Sequence, residues 1–411
     1  MPEAAHLPRP AHEHGLAVEP GASARDHLPT HTGVAKLHAL TGLRFVAAAM
    51  IVVHHSRGAF GFAARGKQNW PLEAGVSFFF VLSGFILMHV YPALDRPGAV
   101  RRFFAARIAR VWPAHFLTFL IALGLGYGWP PSGGAGLAST TAVAVFNAAM
   151  WHAIVPLKAY FFSFNSVSWS ISTEFFFYAA FPFLVRRFVQ TWRWKLAGAY
   201  LVVSAVIAFC TWRQIPAFSA ANLFEVNRAG MLYVSPVSRV AEFVLGMTAA
   251  LFWKQKFAAR SLSPGVATGV EISCVALCLL CLQALSHEAR VMEIFGSYLA
   301  VYLRHAGTAP VFAALIVIFA CGRGWLSRLV ATPAFVLLGE ISFSVYLLHQ
   351  ILLGLFAEGR IAARTGIDGW PLFAIFWLVL LATAWAMWRW IERPARSLLL
   401  SVAAPRGGRL Q

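Results

Sequence analysis

Apolar runs recur along the chain from about residue 38 almost to its C-terminal end, separated by short polar or basic stretches. Candidate runs lie at 38–56, 73–91, 113–128, 136–155, 170–185, 196–211, 238–253, 266–284, 308–321, 333–356 and 370–391. Most approach the ~20 residues an α-helix needs to cross hydrocarbon. None alternates with the period of two expected of a membrane β-barrel strand. Only helices and closed barrels satisfy every backbone polar group in lipid. The pattern therefore predicts an all-α, polytopic integral membrane bundle. Composition agrees, at 59% hydrophobic and 12% charged residues, where ordinary soluble domains are about a quarter charged.

The run GLASTTAVAVFNAAMWHAI, within 136–155, is the weakest, being rich in Ala, Thr and Asn. Whether it crosses decides the side of every later loop. Charge arbitrates, because cytoplasmic loops carry the excess of Lys and Arg. With a cytoplasmic N-terminus and 136–155 not crossing, 21 Lys and Arg fall inside and 10 outside. If 136–155 crosses, the counts become 15 and 16 and the bias vanishes. The expectation is about ten transmembrane helices with both termini cytoplasmic, and an outer segment at 129–168 that is partly apolar.

Residues 1–36, rich in Pro, His, Ala and Gly and without an apolar core, read as a disordered cytoplasmic tail and not as a cleavable signal. A membrane domain at 37–395 and a short cytoplasmic tail at 396–411 complete the organisation. The formal charge of +18 does not indicate a nucleic-acid partner. The basic residues sit in short clusters between spans, and no DNA- or RNA-binding motif accompanies them. Cys274, Cys278 and Cys281 share a helix face at a spacing that a metal site would also use. They read as small core residues, and no metal is expected.

Ionisable groups within membrane spans are costly and usually functional. The first span, LTGLRFVAAAMIVVHH, carries Arg44 and His55 eleven residues apart. They share one helix face, separated by about 16 Å along the axis. Snorkelling to the two interfaces would account for both. The second span, GVSFFFVLSGFILMHVY, contains Gly75, Ser77, Ser83 and Gly84, which close helix packing explains. In VRRFFAARIARVWP, Arg107 and Arg110 are neighbours on a cytoplasmic amphipathic segment. They suit lipid headgroups or, as a bidentate pair, a phosphorylated cytoplasmic molecule.

In SVSWSISTEFFFYAAFP, Glu174 lies one turn inside a span with Ser170 and Tyr178 on its face. A buried carboxylate needs a partner, and an outer histidine such as His55 is the natural one. A carboxylate that orients an imidazole is a common catalytic arrangement; a structural hydrogen bond is the plainer alternative. Glu242 sits three residues from Arg239 and reads as a local ion pair, while Glu340 and His349 are candidates to line the same cavity.

Taken in order, these stretches resemble the membrane-bound acyltransferase-3 family over roughly residues 38 to 395. Arg44 to His55 resembles its arginine–ten residues–histidine element, and GVSFFFVLSGF its second-helix signature. Arg107-Ile-Ala-Arg110 matches its RxxR, and Trp169-Ser170-Ile171-Ser172-Thr173-Glu174 looks like its WSLxxE. RVAEFVLGM and ISFSVYLLHQ are similar to later helices. Many members carry a second acid directly after the glutamate, where this chain has Phe175.

The resemblance implies an acyl-CoA-dependent O-acyltransferase in a bacterial inner membrane, with acetyl-CoA the common donor and succinyl or longer acyl groups as alternatives. The donor is a co-substrate, and no tightly bound cofactor is implied. The acceptor would be a hydroxyl of a glycan or lipid-linked saccharide at the cell envelope. His55 would act as general base or transient acyl carrier, assisted by Glu174, with Arg44, Arg107 and Arg110 holding the donor. Trp169, Ser170, Ser83, Arg239, Glu242 and His349 would support the site. A transporter or flippase of a glycan or lipid is the alternative, although no internal repeat is visible. Outer-loop aromatics such as Trp70, Trp151, Tyr160 and Phe161 are candidates to stack on an acceptor sugar, although aromatics also mark membrane interfaces.

Overall fold

The computed structural model describes residues 37–60, 70–127, 137–219, 221–260, 262–357 and 365–403. The expected tail at 1–36 and residues 404–411 lie outside them. The described residues form helices and no strand: α1 (His38–Ser56), α2 (Gly75–Val90), α3 (Ala99–Gly124), α4 (Leu137–Ala148), α5 (Lys158–Phe161), α6 (Trp169–Val185) and α7 (Phe188–Trp212). They continue with α8 (Pro236–Phe252), α9 (Pro264–Ser286), α10 (Glu288–Ala306), α11 (Ala309–Cys321), α12 (Trp325–Val330) and α13 (Pro333–Ala357). The last two are α14 (Gly369–Met387) and α15 (Arg393–Ala403). Proline opens α8, α9 and α11, where its missing N–H costs nothing.

Among the described residues nine helical segments are long and apolar enough to cross a membrane. The predicted span at 170–185 falls on α6, whose 17 residues cover about 26 Å. The weak run at 136–155 breaks into α4 and irregular chain, and the 12 residues of α4 reach only about 18 Å. Two predicted boundaries change. The basic segment at 100–112 is the first half of the continuous 26-residue α3, which carries Pro113 inside it. Residues 285–307, expected as a loop, contain α10, broken at Gly296 (φ 74°, ψ 160°).

Close helix contact holds the centre together. A methyl group added at Gly84 of α2 would overlap the carbonyl oxygen of Phe243 in α8, and one at Gly246 of α8 would overlap that of Val81 in α2. Gly42 of α1 and Gly339 of α13 meet Val330 and Thr41 in the same way. Without a hydrophobic drive between helices in lipid, such backbone approach supplies the packing. It brings α1, α2, α8 and α13 into one buried core, whereas α7 and α14 leave large apolar side chains such as Leu201 and Leu378 outward.

Glu271, buried in α9, was not singled out in the sequence. It accepts from the backbone N–H groups of Gly324 (3.0 Å), Leu326 (2.9 Å) and Ser327 (3.2 Å). These are the orphan donors that open α12.

Residues 140–168 form a strap pinned to the bundle by polar contacts. The Asn147 carbonyl accepts from His115 Nε2 (2.8 Å), and its side chain donates to Ser163. His152 Nε2 lies 3.2 Å from Ser168 Oγ, and Asn165 donates to the Leu347 carbonyl (2.9 Å). Burial, then the neighbouring His115, push the His152 imidazole down to about 3 from an ordinary 6.5. The unfolded strap would bind this proton near 6.5 and the folded strap only near 3. Its attachment is therefore complete above pH ~6.5 and weakens progressively as pH falls toward ~3. Protease cleavage within 140–168 should accelerate over that acid window; a rate that stays flat with pH would contradict the assignment.

Candidate functional site

His55 ends α1 at a cavity of about 190 Å³ lined by Ile51, Glu73, Phe162, Trp169, Tyr233, Tyr346 and Gln350, among others. His349 meets His55 from α13. Its ring lies nearly parallel to that of His55 (11°, centroids 5.2 Å apart), and His55 Nδ1 lies 2.9 Å from His349 Nε2. His349 Nδ1 faces the carbonyl oxygen of Tyr346, which can only accept. The proton of neutral His349 is therefore on Nδ1, and its Nε2 is an acceptor. The bond between the rings then requires the proton of His55 on Nδ1. The lone pair of His55 is left on Nε2, the nitrogen that a base uses.

The cavity walls are braced around this pair. The Tyr346 hydroxyl donates to the Val167 carbonyl (2.9 Å) and lies 2.8 Å from Ser170 Oγ, tying α13 to the start of α6. Arg239 and Glu242, both fully buried, pair through Nε–Oε2 (2.6 Å) and Nη2–Oε1 (3.0 Å), as the sequence predicts. The same guanidinium donates to the His305 carbonyl (3.3 Å) and packs on Phe80 and Tyr233. Tyr233, stacked on His305 with centroids 3.8 Å apart, thus becomes a rigid wall. His54 packs edge-on against His55 (centroids 5.4 Å apart) and pairs with Glu73 (3.1 Å), which also holds Arg304 (3.1 Å) of α10.

Glu174 does not meet His55. Its Oε1 accepts from Ser83 Oγ (2.8 Å) and from the Tyr178 hydroxyl (2.7 Å). Glu174 lies five positions after Trp169, which lines the cavity, along α6, a rise of about 8 Å. The expected pairing fails because Glu174 starts one turn too deep. His349 takes the place expected for it, while Ser170 binds Tyr346 instead. Phe175, directly after Glu174, packs edge-on against Trp151 of the strap (6.1 Å). Glu340 is exposed and lines no part of the cavity.

One turn beyond Glu174, Tyr178 reaches the basic end of the bundle. Arg107 lies over the rings of Tyr178 (6.0 Å) and Tyr91 (5.6 Å). Arg44 feels the charges of Arg110, Glu174 and Glu392. Arg101 and Arg102 are exposed, whereas Arg107 and Arg110 are half-buried. Of the four arginines of α3, the two in the RxxR spacing are the ones turned into the bundle. The predicted residues thus fall into three tiers: guanidiniums at one end, Ser83, Glu174 and Tyr178 between, and the imidazole pair at the other end. Sequence reasoning missed Glu73, Tyr233 and Tyr346. Tyr346 had a visible signal, standing one turn before His349 in ISFSVYLLHQ. Of the proposed stacking aromatics, Phe161 is buried in the core and does not line the cavity, whereas its neighbour Phe162 does.

A family profile described as an acyltransferase domain matches residues 37–389. The chain is 27% identical over 343 residues to Acyltransferase MdmB of Streptomyces mycarofaciens, covering 78% of this chain and 80% of that protein. It is 24% identical over 381 residues to Nodulation protein 10 of Rhizobium leguminosarum bv. viciae, covering 89% of this chain and 94% of that protein. No solved structure matches the chain.

Proposed function

The chain belongs to the acyltransferase-3 family of membrane proteins, and we propose that it transfers an acyl group, acetyl foremost, from cytoplasmic acyl-CoA to a hydroxyl of a glycan or lipid-linked saccharide. The membrane is taken to be the bacterial inner membrane, with the Arg44 end of α1 cytoplasmic and the His55 end outside. The observation that carries the reading is the imidazole pair, which leaves the lone pair of His55 on Nε2 in a residue that lines a cavity, at the end of the bundle opposite the arginines.

In this scheme Arg107 and Arg110, with Arg44, hold the phosphates of the donor, because guanidiniums grip phosphate in a bidentate fork. The donor's thioester arm runs past Tyr178, Glu174 and Ser83 to the cavity. His55 Nε2 takes the proton of the acceptor hydroxyl as its oxygen attacks the thioester carbonyl. The carbon–sulfur bond breaks and the thiolate takes that proton back from His55, so an ester and a free thiol leave. His349 stabilises the imidazolium by accepting from Nδ1 throughout. An acyl-histidine route would use the same lone pair as nucleophile.

The test is thiol release from acetyl-CoA by purified protein, with and without envelope glycan, and alkali-labile ester on the glycan. Ester formed together with thiol supports the reading; neither product with active folded protein would sink it. Arg107→Ala with Arg110→Ala should raise the donor KM by about 10-fold or more, the scale of losing charge-assisted bonds, with little change in kcat. A donor KM equal to the parent's would leave these arginines as lipid contacts.

A further inference from the structure

The family-matched residues end at 389, yet the chain continues in an ordered way. A wide π-helical turn, Trp388–Glu392, joins α14 to α15, and α15 packs back along α3, the helix of Arg107 and Arg110. An extra residue in such a turn rotates the next stretch of helix about its axis and is common at functional sites. Here it turns Glu392 inward, where its carboxylate accepts from Ser344 of α13. Arg396 comes four residues later, on the same face of the helix. Its charged neighbours are Arg107, Arg110 and Glu392, and those of Glu392 are Arg110, Arg44 and Arg396.

Four guanidiniums, Arg44, Arg107, Arg110 and Arg396, thus share one end of the bundle, where among the described residues Glu174 and Glu392 are the carboxylates beside Arg44 and Glu392 the one beside Arg396. Glu174 is already occupied by Ser83 and Tyr178. In addition Arg107 Nε is buried without a hydrogen-bond partner among the described residues. A buried guanidinium donor in that state is costly unless something accepts from it. Excess positive charge and an open donor together describe a receptor for a multiply charged anion.

We infer that α15 supplies Arg396 as a fourth guanidinium to the phosphate site of the acyl donor, so that the C-terminal helix clamps the coenzyme from the cytoplasmic face. The inference rests on the donor assignment proposed above and extends it to a segment beyond the family-matched residues. Arg396 is exposed, which suits a residue that meets the ligand on entry and not one needed for folding. A phosphate could equally belong to a lipid headgroup, and the experiment separates the two sources.

Binding of coenzyme A itself is measured by calorimetry on full-length protein in nanodiscs of phosphatidylcholine, and again with anionic phosphatidylglycerol added. Arg396→Gln is compared with Arg393→Gln, which removes an exposed charge stacked on Trp388. The expected result is about 10-fold weaker binding with Arg396→Gln in both discs, with Arg393→Gln within about twofold of the parent. Equal affinity of Arg396→Gln and the parent overturns the clamp while leaving the donor assignment standing. Loss confined to discs with anionic lipid makes Arg396 a headgroup contact and overturns it too. A parent that binds no coenzyme A overturns the donor assignment and the clamp together.

Discussion

Acyl transfer will fall to background in His55→Ala and by about 10²-fold or more in His349→Leu, while His349→Gln keeps much of the rate. General acid–base catalysis by a positioned side chain contributes about 10²–10⁴-fold, and His55 stands to lose all of it. His349 acts one step removed. Its Nδ1 is committed to the Tyr346 carbonyl, so its Nε2 accepts from His55 and keeps the His55 lone pair on Nε2. Leucine fills the space and leaves the His55 proton free to occupy either nitrogen. The glutamine oxygen can still accept from Nδ1–H. Steady-state kinetics on the three variants decide the matter. The expected loss is in kcat with donor KM close to the parent's. Equal rates for His349→Leu and His349→Gln would mean that the second imidazole only fills space.

Gly84→Ala should yield little folded protein, whereas Gly198→Ala is tolerated. The added methyl at Gly84 overlaps the Phe243 carbonyl, a backbone atom that cannot swing aside, so α2 and α8 must separate at the centre of the core. Overpacking typically costs about 1–3 kcal/mol, and more where the obstacle is backbone. Gly198 of α7 has open space where its methyl would go, so alanine there gains helix propensity. Size-exclusion profiles of tagged protein in mild detergent read the outcome. A monodisperse peak of parental height for Gly84→Ala would contradict the packing described.

Much of the fold was legible because hydrophobic length is a strong signal. The ten expected spans each fall on a helix, and the Ala- and Thr-rich run holds a helix of 12 residues among the described ones. The site was legible in part, and unevenly for a physical reason. Arg44 and His55 lie on one helix, where a rise of 1.5 Å per residue fixes their separation. The Arg239–Glu242 pair is equally local. The partner of His55 depends on how two distant helices are set in depth, which no periodicity encodes. Glu174 and His349 were both available, and the depth of α6 chose His349. Tyr233 and Glu73 were illegible for the same reason. Each reaches the cavity from an irregular or short turn before its helix, where apolar patterning says nothing.

The central claim is that a donor held at the arginine end is used by a histidine at the opposite face of the membrane. Right-side-out native membrane vesicles, which keep their own glycans, test it most directly. They are loaded with radiolabelled acetyl-CoA inside, or given it outside only, with the parent or His55→Ala at equal expression. The predicted result is alkali-labile label on outer-face glycan with internal donor and parent protein alone. Equal labelling with His55→Ala, or labelling of sealed vesicles from external donor, would contradict it.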